Sequence, residues 1–523
     1  MKPEDFILGP RVSRRSALRA LASTPVLLLG ASNLAAQTSL SGYWVLLIPN
    51  NDGTYRKSYF HLDQSGETIS GTVMSGSREL PISNGSFQNG RLRFEVVTRS
   101  RLESRTTTYI GQMSGDKIDM QVDMPGRSRR TGTAQRTTRE AALPPAPLPL
   151  PELRDLPDNG LVRTPPMGWN SWNKFAGRVN DQIVRAAADA IVASGMAKAG
   201  YIYVNIDDTW QGQRDSKGRI TGNSKFPDMK ALCDYVHSKG LKIGTYSGPG
   251  PETCAGYEGS FGHEEQDAKT YAEWGFDYLK YDWCSAARVY KDEDMRPVYQ
   301  KMGEALLNCG RPIVYSLCQY GRDDVWGWGA KVSGNLWRTT GDINDHWERM
   351  DEIGFSQFAI QHYMRPGHWN DPDMLEIGNG GMSSDEYRTH MSLWCLLAAP
   401  LLAGNDLSSM TDDTRDILMN SEVIAVDQDP AAHPAHLVTY VEQQVVAYRK
   451  LADGSTALAL FNRADKEDEL GVEWSALELE GKVEARDLWK HEAVEVSNKD
   501  YSTKVPAHGV VMLEVRQAQH SLL

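Results

Sequence analysis

The sequence predicts a (β/α)8 barrel flanked by two β-rich domains, on three observations. Between about residues 161 and 434, eight short apolar or Trp-rich segments alternate with helical stretches. That count over roughly 270 residues suits a closed parallel barrel, whereas a doubly wound sheet gives no reason for eight strands. On either side, apolar and polar positions alternate with period two between Gly, Asn and Ser turns, as antiparallel sheets require. A proline-rich run, LPPAPLPLPELRDLP (143–157), divides the first β-rich region from the barrel.

Taken in chain order, residues 1–36 read as an export signal. Ser13, Arg14 and Arg15 precede a short apolar stretch, TPVLLLGASNLAA, ending in small residues at Ala35 and Ala36. Charge, apolar run and small residues in that order describe a cleavable signal, and the paired arginines resemble the twin-arginine type. The apolar run is too short for a membrane span. The expectation is an exported protein, periplasmic or extracellular.

Residues 37–137 contain GYWVLLIPNNDGTY, GETISGTV and NGRLRFEVV, strands with turn signals every dozen residues or so. A small barrel or sandwich follows, with no catalytic constellation in it. Residues 138–160 form the linker, which its prolines keep extended. The barrel, 161–434, draws its strands from PMGWNSW, YIYVNIDD, LKIGTYS, DYLKYDW, PIVYSLCQ, NLWRTTGD, GHWNDPDML and APLLAG. Residues 435–523 return to β patterning, with a hairpin turn at Asp453–Gly454, and read as a C-terminal β-sandwich.

A formal net charge of −12 without a long basic run excludes nucleic acid and anionic membranes as natural partners. None of the six cysteines forms a CxxC pair, so a structural zinc site is not expected.

Charged residues gather at the C-terminal ends of the barrel strands, the face that carries active sites in this fold. Asp207 and Asp208 end the second strand, Lys280 and Asp282 the fourth. Arg338 and Asp342 share a face near the sixth, and Asp371 and Asp373 one in the seventh. Lys280 and Asp282 stand two apart, so an extended chain points both to one side. Burying such a pair costs several kcal/mol per ion, roughly, unless something compensates. Paired carboxylates with aromatic platforms fit glycoside hydrolysis, with Trp169, Trp172 and Trp210 available to stack on a sugar. A divalent-metal site is the competing use of acidic clusters, but no DxDxDG loop or His–carboxylate set supports one.

The motifs TPPMGWNSWN (164–173), NIDDTWQ (205–211), KYDWC (280–284), WRTTGDI (337–343), WNDPDML (369–375) and LLAAPLLAGNDL (396–407) resemble the α-galactosidases of glycoside hydrolase family 27, in clan D. They span the whole barrel in order; the N-terminal β domain lies outside the resemblance. What it implies is a retaining, cofactor-independent exo-hydrolase that releases terminal α-linked galactose from oligosaccharides or glycans. Asp282 would be the nucleophile and Asp342 the acid/base. Asp207 and Asp208 would hold the 4- and 6-hydroxyls, and Lys280 would donate to sugar hydroxyls. Trp172, Tyr246, Arg338 and Met374 would line the site. Asp371 and Asp373 would shape the rim. Cys254 and Cys284 would form a disulfide beside the sugar.

The residues after Cys318 border the sugar 2-position in this family. The resemblance therefore gives Gln319 a hydrogen bond to the 2-hydroxyl and favours galactose. α-N-Acetylgalactosaminidase and β-L-arabinopyranosidase remain alternatives within the family. A catalytically inactive sugar-binding protein is the alternative from another class.

Overall fold

The structure, a computed structural model, describes residues 39–75, 78–99, 104–126, 129–290 and 294–518. The export signal expected at 1–36 lies outside the described residues.

The N-terminal domain is a closed antiparallel barrel of eight strands. In order these are β1 (Gly42–Pro49), β2 (Tyr55–Ser65), β3 (Thr68–Ser75), β4 (Arg78–Gln88), β5 (Arg91–Arg99), β6 (Ser104–Ser114), β7 (Lys117–Asp123) and β8 (Arg130–Thr137). β1 pairs with β8 and closes the ring, which removes the exposed strand edges an open sheet would carry. Alternation along β1 turns Trp44, Leu46 and Ile48 inward, where they meet Phe60, Leu62, Leu92 and Phe94.

The proline-rich segment is extended, and it is held against the catalytic barrel. Gln300 Nε2 donates to the Glu152 carbonyl at 2.9 Å, and Leu156 N to the Lys331 carbonyl at 2.8 Å.

All eight expected barrel strands are present: β9 (Met167–Asn170), β10 (Tyr203–Asn205), β11 (Lys242–Ser247), β12 (Tyr278–Asp282), β13 (Val314–Cys318), β14 (Leu336–Arg338), β15 (Trp369–Asp371) and β16 (Leu401–Ala403). Neighbours pair in parallel in the order β15-β14-β13-β12-β11-β10-β9-β16. The ring closes just past β15, through a parallel bridge between Leu375 and Ala403. Local signals set the helices. Helix Asp181–Ser194 starts where the Asn180 side chain accepts the Ile183 N–H, and it stops at Gly195 in the left-handed conformation.

The C-terminal domain comprises β17 (His436–Val441), β18 (Gln444–Lys450), β19 (Thr456–Asn462), β20 (Asp468–Glu473), β21 (Val483–Asp487), β22 (Glu492–Val494), β23 (Asp500–Val505) and β24 (Val510–Gln517). They form a six-stranded sheet and a two-stranded one. The turn between β18 and β19 uses Gly454 at φ 85°, as a side chain-free residue allows. One face of the large sheet packs inside its own domain through Leu458, Leu460 and Leu513. The other, with Val445, Ala447 and Phe461, joins the catalytic barrel's core. Among the described residues, no helix is long and apolar enough to cross a membrane.

Candidate active site

A cavity of about 510 Å³ opens at the C-terminal ends of the barrel strands. Its floor is set by β12. Lys280 and Asp282 point into the barrel, while Leu279 and Tyr281 turn outward into the packed shell beneath the helices.

Asp282 is buried and held from two sides. Tyr320 Oη donates to Oδ1 at 2.6 Å and Tyr246 Oη to Oδ2 at 3.0 Å. Burial pushes its pKa up, while the Lys280 ammonium and the two phenols oppose the rise. Lys280 Nζ donates to Asp207 Oδ2 at 2.8 Å and lies 5.5 Å from the centre of the Tyr246 ring. Burial disfavours the ammonium, but Asp207 and Asp282 outweigh it and hold the Lys280 pKa well above its ordinary value. The two charges on this strand are thus stabilised by a wider network.

Asp207 and Asp208 follow β10. Asp207 Oδ2 also accepts from Asn170 Nδ2 at 2.9 Å. Asp208 accepts the backbone N–H groups of Thr209 at 2.6 Å and Ala255 at 2.8 Å. Its burial nevertheless pushes its pKa up to about 7.

Asp342 differs in kind. Its side chain is 72% exposed at the mouth, where Arg338 Nη2 donates to Oδ1 at 3.1 Å. The same guanidinium, almost fully buried, lies 2.8 Å from Asp373 Oδ2. One carboxylate is therefore sealed at the base and a second stands in water at the entrance.

Of the residues expected from the sequence, Trp172, Asp207, Asp208, Tyr246, Cys254, Lys280, Asp282, Arg338, Asp342 and Met374 line this cavity. Cys284 is not in the lining; it is disulfide-bonded to Cys254 with their Cα atoms 4.8 Å apart. Asp373 lines the cavity, whereas Asp371 sits buried behind it.

Two expectations need correction. Gln319 does not reach the cavity. It is fully buried, and its amide has no hydrogen-bond partner among the described residues. β13 ends at Cys318, which pairs in register with Asp282; Gln319 then turns into the core, and the left-handed turn at Tyr320 brings the phenol back onto Asp282. Both Tyr320 and Gly321 adopt positive φ, and a Cβ on Gly321 would meet the Thr339 carbonyl oxygen at 2.0 Å. Nor are Trp169 and Trp210 sugar platforms. Both are fully buried, and their indole N–H groups donate to the carbonyls of Asn405 and Tyr246, each at 2.9 Å.

Glu376, Asp345 and Lys174 complete the far wall and were not singled out from the sequence. Burial pushes the Glu376 pKa up to about 7, against hydrogen bonds from Asn379 and Asn173. The signal was available, since Glu376 closely follows a barrel strand at its C-terminal end.

A parallel barrel whose active face holds a buried carboxylate, an exposed one and a ring of further charged side chains has the make-up of a glycoside hydrolase. Comparison with known proteins narrows the class. Residues 164–429 match the family model for alpha galactosidase A, and residues 442–515 that for the alpha galactosidase C-terminal beta sandwich domain. The α-galactosidase of Cyamopsis tetragonoloba is 47% identical over 365 residues, covering 69% of this chain and 88% of the relative. The crystal structure of α-galactosidase I from Mortierella vinacea superposes with a TM-score of 0.67 at 37% identity, over 69% of this chain and 99% of that one. The chain belongs to the α-galactosidases of glycoside hydrolase family 27. A Bacteroides fragilis structure aligns over 91% of this chain and 98% of its own, with a TM-score of 0.65 and 29% identity. That alignment takes in more of the chain than barrel and sandwich together contain.

Proposed function

We propose that the protein releases terminal α-linked galactose from oligosaccharides or glycans by double displacement, with retention of configuration. The contrast between Asp282 and Asp342 carries this reading. Asp282, sealed at the base and steadied by Lys280, Tyr246 and Tyr320, attacks the anomeric carbon and forms a β-galactosyl-enzyme. Asp342, in contact with solvent, protonates the departing glycosidic oxygen, then takes a proton from the water that releases galactose. Arg338 bonds Asp342 directly and is placed to orient it.

Asp207, Asp208 and Lys280 hold the sugar hydroxyls, and Met374 packs on its apolar face. The bulk of Tyr320 beside Asp282 leaves less room for a 2-acetamido group than a small residue would, which supports galactose over N-acetylgalactosamine. We also propose that residues 1–36 direct the chain out of the cytoplasm.

The test compares hydrolysis of aryl α-galactoside, aryl α-N-acetylgalactosaminide and aryl β-L-arabinopyranoside, with the anomer first released followed by NMR. Preference for the galactoside with α-galactose released first is expected. First release of β-galactose would overturn the double displacement; preference for another glycoside would overturn the substrate assignment.

A further inference from the structure

A second cavity, of about 620 Å³, lies between the N-terminal barrel and the loops that carry the active site. Strands β2, β3, β5 and β6 supply Tyr59, Met74, Thr98 and Thr107 to one wall; Glu252 and Arg288 of the catalytic barrel supply the other. The volume falls in the range of small-molecule sites, about 300–1,000 Å³, and such sites favour domain interfaces.

Three observations connect this cleft to the active site without placing it in the galactose pocket. First, Cys254 lines both cavities, so the two spaces share a wall. The Ala255 N–H that follows it bonds Asp208, and Gly256 next in the chain faces Arg56 of the N-terminal barrel. Second, the domains are fixed together. Asp52, buried in the turn between β1 and β2, accepts from Tyr257 Oη at 2.6 Å and lies 3.5 Å from Lys225 Nζ. Ser224 Oγ donates to the Asp52 carbonyl at 2.7 Å. Third, the lining suits a saccharide. Tyr59 and Met74 offer apolar faces and Thr107 a hydroxyl, while Arg56, Lys57, Arg105 and Arg288 against the carboxylate of Glu252 give the cleft a cationic lining rich in donors for sugar hydroxyls.

An exo-acting pocket holds one terminal sugar, and the rest of the substrate must lie outside it. We propose that the interdomain cleft is a second saccharide site, taking sugar units of the same chain whose terminal galactose occupies the Asp282 pocket. The proposal rests on the α-galactosidase reading above. It gives the N-terminal barrel a part in selecting long substrates.

Thr98→Trp fills the cleft from an exposed strand position where a large aromatic residue is well tolerated. Tyr59→Ala removes an apolar face instead. Both are assayed on aryl α-galactoside and on α-galactosyl di- to pentasaccharides. The expected result is unchanged aryl galactoside kinetics with KM for the longer oligosaccharides raised roughly tenfold, a loss of about 1.4 kcal/mol. Wild-type kinetics at every chain length in both variants would overturn the proposal. Failure of the wild type on aryl α-galactoside would overturn the activity reading instead. The cleft would then be read by titrating the pentasaccharide into wild type and Thr98→Trp. Binding lost in the variant supports the site, and no binding to wild type rejects it.

Discussion

Tyr320 Oη donates to Asp282 Oδ1 at 2.6 Å, the shorter of the two phenol bonds on that carboxylate. A nucleophile must be ionised to attack, and burial alone pushes Asp282 the wrong way. Tyr320→Phe removes one of the contributions that hold its pKa down. The acid limb of kcat/KM is expected to move to higher pH, with a loss on the order of tenfold below pH 5 and a smaller one near pH 7. A pH–rate profile of wild type and variant checks this; an unmoved acid limb would show that the bond does not tune Asp282.

The burial contrast between Asp282 and Asp342 predicts two stereochemically distinct rescues by azide. Asp282→Gly leaves space on the β face, where azide can displace an activated α-linked leaving group and give β-galactosyl azide. Asp342→Gly leaves the nucleophile in place. With an activated leaving group the galactosyl-enzyme still forms, and azide then attacks from the α face to give α-galactosyl azide. Unrescued, each variant should lose more than about a thousandfold in kcat/KM on an unactivated galactoside. NMR of the azide products decides the assignment, and exchanged anomers would reverse the two roles.

Much of this site is legible in the sequence because strand alternation is a strong constraint. The spacing of Lys280 and Asp282 on β12 places both on one face, and both line the cavity. The rule stops at Cys318, where β13 ends; the position after the cysteine suggested Gln319, but the left-handed turn at Tyr320 brings that side chain to Asp282 instead, and strand alternation does not announce it. Trp169 and Trp210 mislead because composition cannot separate a tryptophan that stacks on a ligand from one whose N–H is satisfied in the core. Asp52 sits in a turn whose local hydrogen bonds to Thr54 explain its presence, so its contacts with Asn223 and Tyr257, far away in sequence, leave no local trace.

Asp371 should reveal itself through pH. Burial pushes its pKa up to about 6, against the opposing charge of Arg338. With a raised native pKa, its stabilising contribution is full below the unfolded value near 3.8 and is lost as pH rises through 6. Asp371→Asn keeps a side-chain oxygen for the Asp373 N–H and carries no charge. Relative to wild type it should gain stability between pH 4 and 7, on the order of 3 kcal/mol in total, and change little above that. Thermal melts across this range test it, and a pH-independent difference would reject the assignment.

Asp52 carries the opposite sign and links the domain interface to substrate choice. Burial would raise its pKa, but hydrogen bonds from Thr54 and Tyr257 and the Lys225 charge outweigh it and hold the carboxyl below its ordinary value of 3.8. Its contribution is therefore present above about pH 4 and lost as pH falls through the lowered native pKa. Asp52→Ala leaves the largely buried Lys225 ammonium without this carboxylate, a loss of about 3 kcal/mol by analogy with other broken buried pairs. Because the bonds span two domains, the damage should concentrate at their junction. Hydrogen exchange is expected to quicken around residues 50–54 and 252–258 at neutral pH while β12 stays protected. If the cleft holds part of the substrate, the same variant should raise KM for long oligosaccharides and spare aryl α-galactoside. Equal losses on both substrates would place the effect in the galactose pocket instead, through the Ala255 N–H that supports Asp208.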